Sequence, residues 1–416
     1  MKIRHALEMI GEYGALKSVG RVLGGVFYRL AIPVYSLFIC LTTAVDPKKV
    51  LFESTPAFSD NSWEMFMYLR DTSEEQYRFV WLYAPEDRLR TLENTKVVSK
   101  YSFYSAKHTT IRAIREIATS KYIFFTHSSP VEEFRPRKGQ IVVNLWHGCG
   151  YKDVQKNNKA PLKFDIALVP GKAFVHTKAH FWNCSEDKIL PIGYPRYDEL
   201  LKSNEMAEQW AKALKANRKL VLWMPTFRST NRHMYPEERI HQKYDLPLLS
   251  SHDQMLELDE FCREHGILLC IKRHVFQVTY AAERIPFTNI RFLGNTSFEK
   301  KGIELYAFLR YADALVTDYS SVAIDYMLLD KPIAFSLDDY EEYKKTRGFV
   351  FEDPLSYMPG HHLYRYEDML SFLEDVSEDR DPYRYQRECL FPEIQNPCDH
   401  YCERIWLAVK GMTIDR

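Results

Sequence analysis

The sequence predicts an α/β protein with two Rossmann-like domains that face each other across a cleft. Three observations predict this fold. First, the chain has 416 residues, which is too long for one ordinary core. Second, short apolar runs alternate with helical stretches from Lys48 onward, as in the βαβ units of parallel sheets. Third, this alternation restarts at Leu220 after a long polar helix, which indicates a second sheet of similar size.

In the first half of the chain, each predicted strand is a short apolar run bounded by polar or turn residues. Ser59, Asp60 and Asn61 provide an N-cap signal for a helix that continues through Leu69, and a second helix is expected over Thr110–Ala118. The predicted strands of this half are 50–52, 79–82, 122–125, 141–145, 166–169 and 189–192.

A polar helix over Glu205–Ala216 leads into the second half, where the same alternation is repeated. The run after Ser321 is helical, and Pro332 is expected to stop it. The predicted strands of this half are 220–223, 267–271, 290–293, 314–316 and 333–335.

Residues 1–45 differ from the rest of the chain. Two short amphipathic helical pieces are expected over Met1–Leu23, and Leu30–Val45 carries no charge. That run is shorter than the ~20 residues of a spanning helix, and Glu8 and Glu12 disfavour a cleaved signal peptide. An interfacial membrane anchor is favoured over a spanning anchor or a packed helix pair. The predicted division is therefore 1–45, a membrane-associating segment, 46–204, the N-terminal domain, and 205–416, the C-terminal domain.

Composition excludes several classes of protein. Lys+Arg and Asp+Glu both number 56, so no global basic field predicts a nucleic-acid partner. The eight Cys lack paired spacing, which is typical of reduced thiols in a cytosol. Cys398, His400 and Cys402 match no usual zinc pattern, so no metal site and no tightly bound cofactor are expected.

Candidate chemistry lies at the carboxyl ends of the predicted strands, where open parallel sheets bind ligands. These ends combine two histidines, several cations and a hydroxyl-rich helix start, a mixture that suits a phosphate electrophile. Taken singly, each residue has an alternative interpretation as a structural histidine, a solvated cation or an ordinary Ser N-cap. The residues at these ends are His147, Gly148, Lys152, Thr226, Arg228, Lys272, Arg273, His274, Thr317, Asp318, Ser320 and Ser321.

An ordered set of motifs resembles the CDP-glycerol glycerophosphotransferase family, which contains primases and polymerases of teichoic acids and related capsule polymers. The resemblance runs from residue 48 to residue 410, and the ordered set is far more specific than any single motif. The matching segments are 49–54, Asp60-Asn61, 139–141, Trp146-His147-Gly148, Lys152, 193–198, 224–228, 272–274, 317–322, Asp325, 330–332, Arg347-Gly348-Phe349 and 358–360.

The resemblance implies a GT-B architecture, with the cytidine nucleotide held mainly by the C-terminal domain and a lipid-linked acceptor on the N-terminal side. By position, it implies that His147 is the general base and that His274 and Arg228 bind the diphosphate. Ser320 and Ser321 would hold the same phosphates, while Asp318 and Asp325 would address the polyol or orient neighbours. His147, His274 and Asp318 are the candidate catalytic residues that the resemblance implies. The remaining substrate-binding candidates are Asp60, Asn61, Gly148, Lys152, Lys272, Thr317 and Arg347.

Three positions depart from the usual family pattern. Cys149-Gly150-Tyr151 stands where a Thr-Pro-Leu-like run is common, Val275 replaces a common Pro, and Tyr197 replaces a frequent Asn. The first two flank the predicted site, so they bear on the identity of the acceptor or polyol rather than on the reaction class.

The resulting hypothesis is phosphoryl transfer from CDP-glycerol, or from CDP-ribitol, to a hydroxyl of a lipid-linked acceptor of the undecaprenyl diphosphate type, with release of CMP. Such an enzyme would lie peripherally on the cytoplasmic face of the membrane, and it could form a homo-oligomer. Two alternatives remain: a GT-B glycosyltransferase that uses a nucleotide sugar, and a non-catalytic, membrane-attached nucleotide-binding protein. The sequence does not distinguish glycerol from ribitol, or a primase from a polymerase.

Overall fold

Within the described residues the fold consists of two parallel β-sheets with helices between many of the successive strands. The computed structural model describes residues 34–72, 76–83, 95–99, 111–132, 136–152, 163–226, 246–272 and 286–414. With the strands counted along the chain, the first sheet has seven strands in the spatial order 3-2-1-4-5-6-7, and the second has six in the order 10-9-8-11-12-13. Numbered from its own first strand, each sheet begins 3-2-1-4-5-6, the order of a doubly wound nucleotide-binding fold.

The strands of the first sheet are β1 (Asp46–Glu53), β2 (Arg78–Tyr83), β3 (Thr95–Ser99), β4 (Ser120–Phe125), β5 (Ile141–Asn144), β6 (Ile166–Leu168) and β7 (Ile189–Leu190). The helices in this part of the chain are α1 (residues 34–42), α2 (Asp60–Thr72), α3 (Ile111–Thr119), α4 (Val175–Trp182) and α5 (Arg196–Leu201). The pairing of β1 with both β2 and β4 is parallel, with Phe52 opposite Trp81 on one side and Phe124 on the other.

The strands of the second sheet are β8 (Lys219–Trp223), β9 (Ile267–Lys272), β10 (Ile290–Leu293), β11 (Ala314–Thr317), β12 (Ile333–Ser336) and β13 (His361–Leu363). The helices are α6 (Glu205–Lys215), α7 (His252–Glu264), α8 (Asn295–Glu299), α9 (Leu305–Leu309), α10 (Val322–Tyr326), α11 (Tyr340–Thr346), α12 (Tyr366–Ser377), α13 (Arg384–Ile394) and α14 (Tyr401–Lys410). β11 pairs in parallel with β8 and with β12.

By its internal contacts the chain forms two compact units. The first comprises Met1–His147, Leu162–Ala167 and Trp406–Arg416, and the second comprises Gly148–Pro161 and Leu168–Ile405. The division predicted at residue 204 separates β1–β7 from β8–β13, whereas the contacts group all of 168–204 with the second unit.

The core of the first unit is built largely from aromatic side chains. Phe52 is fully buried and stacks on Trp81 and Phe124, with ring centroids 5.3 and 5.5 Å apart. Phe66 of α2 meets Phe52 edge-on at 5.7 Å. Aromatic pairs of this kind stabilise a core beyond the area they bury, so the central strand β1 is firmly placed.

A charged cluster secures α3 beside β1 in the first unit. Lys49 donates to Glu116 at 2.9 Å and to Thr119 at 2.7 Å, and Lys96 also donates to Glu116. Burial alone would raise the pKa of the Glu116 carboxyl, but the hydrogen bonds from Lys96 and Lys49 outweigh it and lower that pKa. Glu116 is therefore a carboxylate whose charge stabilises the fold.

The core of the second unit is aliphatic. Val221, Leu269 and Val316 lie on adjacent strands of the second sheet and are fully buried, and Met255 and Leu258 of α7 pack with them. Long apolar strands buried on both faces are typical of parallel sheets covered by helices, so this unit has the layered core expected of a doubly wound domain.

The structure confirms the two parallel α/β sheets, and every predicted strand coincides with an observed one. It adds the strands β3 and β13 and the helices α1, α4, α5, α7, α8, α9 and α11–α14, for which the sequence analysis predicted no bounds. No helix of the described residues is long and apolar enough to span a bilayer. The amphipathic pieces expected over Met1–Leu23 lie outside the described residues.

Helix α1 is held to the first unit along one side. Ser36 and Ile39 are buried, and Arg137 donates to the carbonyl oxygens of Cys40 at 2.9 Å and Thr43 at 2.5 Å. The opposite side carries large apolar residues that are 57–78% exposed. These residues are Val34, Leu37, Phe38 and Leu41.

Candidate functional site

In both sheets the main candidate residues lie at the carboxyl ends of strands that are at, or next to, the point where the strand order reverses. This reversal falls between β1 and β4 in the first sheet and between β8 and β11 in the second. Ligands of open α/β sheets bind in the crevice beyond the carboxyl ends of the strands at such a point. The two groups belong to different compact units.

In the first unit, His147 follows strand β5 and its ring has a defined orientation. Nδ1 lies 3.2 Å from the carbonyl oxygen of Thr126, the residue that follows β4. A carbonyl oxygen only accepts, so Nδ1 carries the proton, and in the neutral ring the lone pair belongs to Nε2. This is the tautomer that a general base working through Nε2 requires.

The backbone before His147 is held in an uncommon conformation. Trp146 has a φ of 55°, in the left-handed region that costs a bulky residue of order 1–3 kcal/mol. The buried Asn61 of α2 donates through Nδ2 to the Trp146 carbonyl oxygen at 2.8 Å. Asn61 therefore positions the His147 loop in this structure, whereas the sequence analysis placed it among the substrate-binding candidates.

Two residues of this group were given no role by the sequence analysis. His127 stacks on His147 with ring centroids 4.2 Å apart and planes 11° apart. Glu53 is 1% exposed at the end of β1, and its Oε2 lies 3.4 Å from the Ser128 amide. Both residues follow or end a strand at the reversal point, so the criterion that selected His147 would have found them.

In the second unit, Asp318 and Thr317 join the ends of β11 and β8. Asp318 is fully buried, and its Oδ2 accepts from the amide and the hydroxyl of Thr226, each at 2.7 Å. Thr317 is also buried and donates to the Met224 carbonyl oxygen at 2.8 Å. These contacts show that both residues shape the segment that leads toward Arg228.

Ser320 and Ser321 have hydroxyls that are not committed to the fold. Ser321 precedes α10 with φ −63° and ψ −20° and makes no side-chain cap. Within the described residues, neither hydroxyl is engaged in a hydrogen bond. The interpretation of these residues as ordinary helix N-caps therefore fails here. Because α10 has only five residues, its helix dipole is weak. An anion at this turn would therefore be bound mainly by the two hydroxyls.

A glycine-containing segment passes directly against this serine turn. Gly148 has a φ of 128°, and a Cβ on it would lie 2.5 Å from the Ser321 hydroxyl oxygen and 2.9 Å from Arg196 Nη2. A Cβ on Gly150 would lie 2.9 Å from the Ser321 amide nitrogen. Residue 148 must therefore be glycine both for its backbone and for the space around it.

Asp325, predicted to address the polyol or orient neighbours, lies behind this turn and is fully buried. Its carboxylate accepts from Arg196 Nη2 and from the Tyr197 hydroxyl, each at 2.6 Å, and from the Tyr306 hydroxyl. Burial raises the pKa of the Tyr197 phenol well above its ordinary value, so Tyr197 remains a donor. The orienting part of the prediction agrees with this geometry, because three donors occupy the carboxylate.

The other candidates are placed as follows. Lys272 ends β9, is 8% exposed, and donates to Asn295 Oδ1 at 2.7 Å. Lys152 forms an antiparallel bridge with Phe349, and Arg347 ends α11. Asp60 begins α2 with a φ of 58°. Arg228, Arg273, His274 and Val275 lie outside the described residues.

The second unit also accounts for Cys149, where the family pattern differs. Cys149 is fully buried and accepts from the Tyr194 hydroxyl at 3.1 Å. Burial raises the pKa of its thiol, so this residue is a packed thiol and not a reactive thiolate. Among the described residues no cluster of three His, Cys, Asp or Glu side chains could hold a metal ion.

Two parallel α/β sheets whose strand order begins in the same way place the protein in the GT-B-like fold class. A family model described as CDP-Glycerol:Poly(glycerophosphate) glycerophosphotransferase matches residues 34–394, and the chain belongs to that family. The resemblance seen in the motifs is thereby confirmed.

Several characterised relatives are similar over part of the chain. The teichoic acid ribitol-phosphate primase of Bacillus spizizenii is 26% identical over 59% of this chain and 62% of its own length. The poly(glycerol phosphate) polymerase of the same organism is 25% identical over 78% of this chain and 83% of its own. The glycerol-phosphate transferase of Staphylococcus aureus is 23% identical over 87% and 92%. The chain spans less than two thirds of the first two relatives it matches.

The solved structures support the fold. The wall teichoic acid polymerase TagF superimposes with a TM-score of 0.67 over 95% of this chain and 97% of its own, at 18% identity. The UDP-GlcNAc 2-epimerase of Methanocaldococcus jannaschii, at 11% identity, gives 0.52 over 87% of this chain and 99% of its own. At these identities the likeness concerns the fold alone.

Proposed function

We propose that this protein transfers a polyol phosphate from a CDP-polyol to a hydroxyl of a lipid-linked acceptor in the synthesis of a teichoic acid or a related surface polymer. Membership of the glycerophosphotransferase family supports the reaction class. The named relatives are primases, transferases and polymerases of glycerol phosphate or ribitol phosphate. Glycerol phosphate is the unit proposed, in keeping with the family description.

The observation that carries this proposal is the orientation of His147. Its Nδ1 faces a backbone carbonyl oxygen, which selects the tautomer with a basic Nε2. A phosphoryl transfer to an alcohol needs a base for the hydroxyl proton and preorganised charge for the phosphates. Ser320 and Ser321, with Lys272 at the end of β9, supply groups of the second kind.

In the proposed step, the acceptor oxygen attacks the β-phosphorus of the donor and its proton passes to His147 Nε2. The bond between the β-phosphorus and the oxygen that bridges to the α-phosphate breaks, and CMP leaves with that electron pair. The reaction needs no oxidant and no covalent enzyme intermediate. Positioning and charge stabilisation account for most of the catalysis in such transfers.

The test is incubation of the full chain with a lipid-linked acceptor and, in separate reactions, CDP-glycerol, CDP-ribitol or nucleotide sugars. The masses of the products are measured by mass spectrometry. The expected result is an acceptor heavier by one or more glycerol phosphate units and an equal amount of CMP. Ribitol phosphate addition would correct the polyol and keep the reaction class. Turnover of a nucleotide sugar alone, or no turnover at all, would contradict the proposal.

We further propose that the protein works at the surface of the inner membrane face. Val34, Leu37, Phe38 and Leu41 lie at helical spacing on the outward side of α1. The inward side is tied down by Arg137, so the apolar side is presented in a fixed orientation. Such a helix suits insertion at the lipid interface, where a tether concentrates the enzyme over a lipid-linked acceptor.

Sedimentation with phosphatidylglycerol vesicles tests this placement. The full chain should bind, and Leu37→Ser combined with Phe38→Ser and Leu41→Ser should reduce binding at least tenfold, because each buried apolar side chain adds roughly 1.5–3 kcal/mol. Leu256→Ser is the matched control, since Leu256 is 46% exposed on α7 in the second unit. Equal vesicle binding by the triple variant and the unsubstituted chain would refute the role of α1.

A further inference from the structure

We propose that Arg196 is a positioning residue of the donor-phosphate site: held by Asp325, its guanidinium sets Ser321 against the Gly148–Gly150 segment. This inference rests on the proposed function, because it assigns the serine turn to the phosphates of the donor. Arg196 lies in the matching segment 193–198 but was given no role there, and the proposal places Asp325 behind the site as its partner.

Arg196 is held by a carboxylate and two aromatic rings. Its side chain is 5% exposed and the Asp325 side chain 0%, and Nη2 lies 2.6 Å from Asp325 Oδ2. The guanidinium carbon lies 4.7 Å from the Tyr306 ring centroid and 5.2 Å from that of Tyr194. A planar guanidinium between two rings and a carboxylate has little freedom, so Nη2 has one defined position.

Nη2 of Arg196 lies close to the backbone of Gly148. A Cβ atom added to Gly148 would lie 2.9 Å from Arg196 Nη2 and 2.5 Å from the Ser321 hydroxyl oxygen. The Ser321 amide nitrogen lies 2.9 Å from the corresponding place on Gly150. A buried cation, an uncommitted hydroxyl and a glycine backbone therefore converge beside β11.

Arg387 forms a comparable buried ion pair elsewhere in the second unit. Arg387 is buried to the same extent, at 2% exposure, and pairs with Asp381 and Asp330. Asp330 precedes β12 and so lies at the amino edge of the sheet, opposite the edge that binds ligands. Arg387 is thus a matched buried pair away from the proposed site.

The test measures the donor dissociation constant and the binding stoichiometry together, by calorimetry with CDP-glycerol and CDP-ribitol. Arg196→Lys keeps the charge but loses the planar fork. The double variant Arg196→Met/Asp325→Asn removes both charges, so it leaves no unpaired buried carboxylate. Arg387→Lys is the control. A structural defect lowers the fraction of chains that bind, whereas a positioning defect changes the dissociation constant of those that do.

For both site variants the dissociation constant should rise roughly tenfold to a hundredfold, the range that follows from one charge-assisted hydrogen bond, with stoichiometry near one. The Arg387→Lys constant should stay within about twofold of wild type, in line with a change far from the ligand. If the wild-type protein binds the donor and both Arg196 variants bind it with the same dissociation constant, this inference is overturned and the proposed function is left intact. A wild-type protein that binds neither CDP-polyol would overturn both.

Discussion

Replacement of His147 by alanine is the most direct test of the mechanism. A general base contributes about 10²–10⁴-fold in rate, which is roughly 3–5 kcal/mol of activation free energy. The fold should survive, because the bond from Nδ1 to the Thr126 carbonyl oxygen is worth only about 1 kcal/mol. We therefore expect kcat to fall by two to four orders of magnitude, with a small change in thermal stability.

The assay is the rate of CMP release under saturating donor and acceptor, with the melting temperature measured on the same preparations. His176→Ala is the control, because the His176 side chain is 85% exposed and pairs only with an exposed carboxylate, that of Glu186. It should leave kcat unchanged. If the His147→Ala protein is folded and its kcat lies within a factor of two or three of wild type, His147 is not the base.

Three further outcomes are expected. Replacing both Ser320 and Ser321 by alanine should weaken donor binding by ~1.5–3 kcal/mol for each lost bond to phosphate, measured by calorimetry, and should leave the melting temperature nearly unchanged; a matching loss of thermal stability would favour a structural role. Gly148→Ala should abolish transfer while Gly139→Ala does not, since Gly139 also has a positive φ but no atom within 4 Å of an added Cβ; equal activities would refute the crowding argument. Glu116→Gln should lower the melting temperature at pH 7, because the lowered pKa of Glu116 adds stability above its ordinary value of 4.5 that is lost as the pH falls; a difference from wild type that persists well below that pH would contradict this assignment.

The fold was largely predictable because parallel strands buried on both faces form continuous apolar runs. The segments Val50–Phe52, Leu220–Trp223 and Ala314–Val316 are all fully buried, and each was assigned correctly. By contrast, β13 begins with His361 and His362 and has no apolar run to mark it. Its strand character comes from pairing with β12, which is a tertiary effect that a local pattern does not contain.

The placement of a candidate residue was predictable where it follows from its position after a strand. It was not predictable where it follows from contacts between residues far apart in the chain. His147, Asp318 and Ser321 follow strands, so their placement at the sheet edge follows from the βαβ order alone. The pairing of Arg196 with Asp325 joins residues 129 positions apart, and no local pattern contains it. His127 was missed for a different reason, because the strand-end rule was applied to β5 and not to β4.

The stretch from Gly193 to Asp198 shows how a family motif can act without contacting a substrate. Both carboxylate oxygens of Asp198 accept backbone amides at the start of α14, from Tyr401 at 2.6 Å and Cys402 at 2.8 Å. Gly193 allows the Tyr401 ring to approach to within 2.4 Å of where a Cβ would lie. The bonds to Asp198 satisfy amides in the first turn of α14 that have no partner within the helix. Together these contacts fix the backbone from which Arg196 projects. The resemblance in this stretch is therefore explained by assembly of the second unit, with Arg196 as its link to the serine turn.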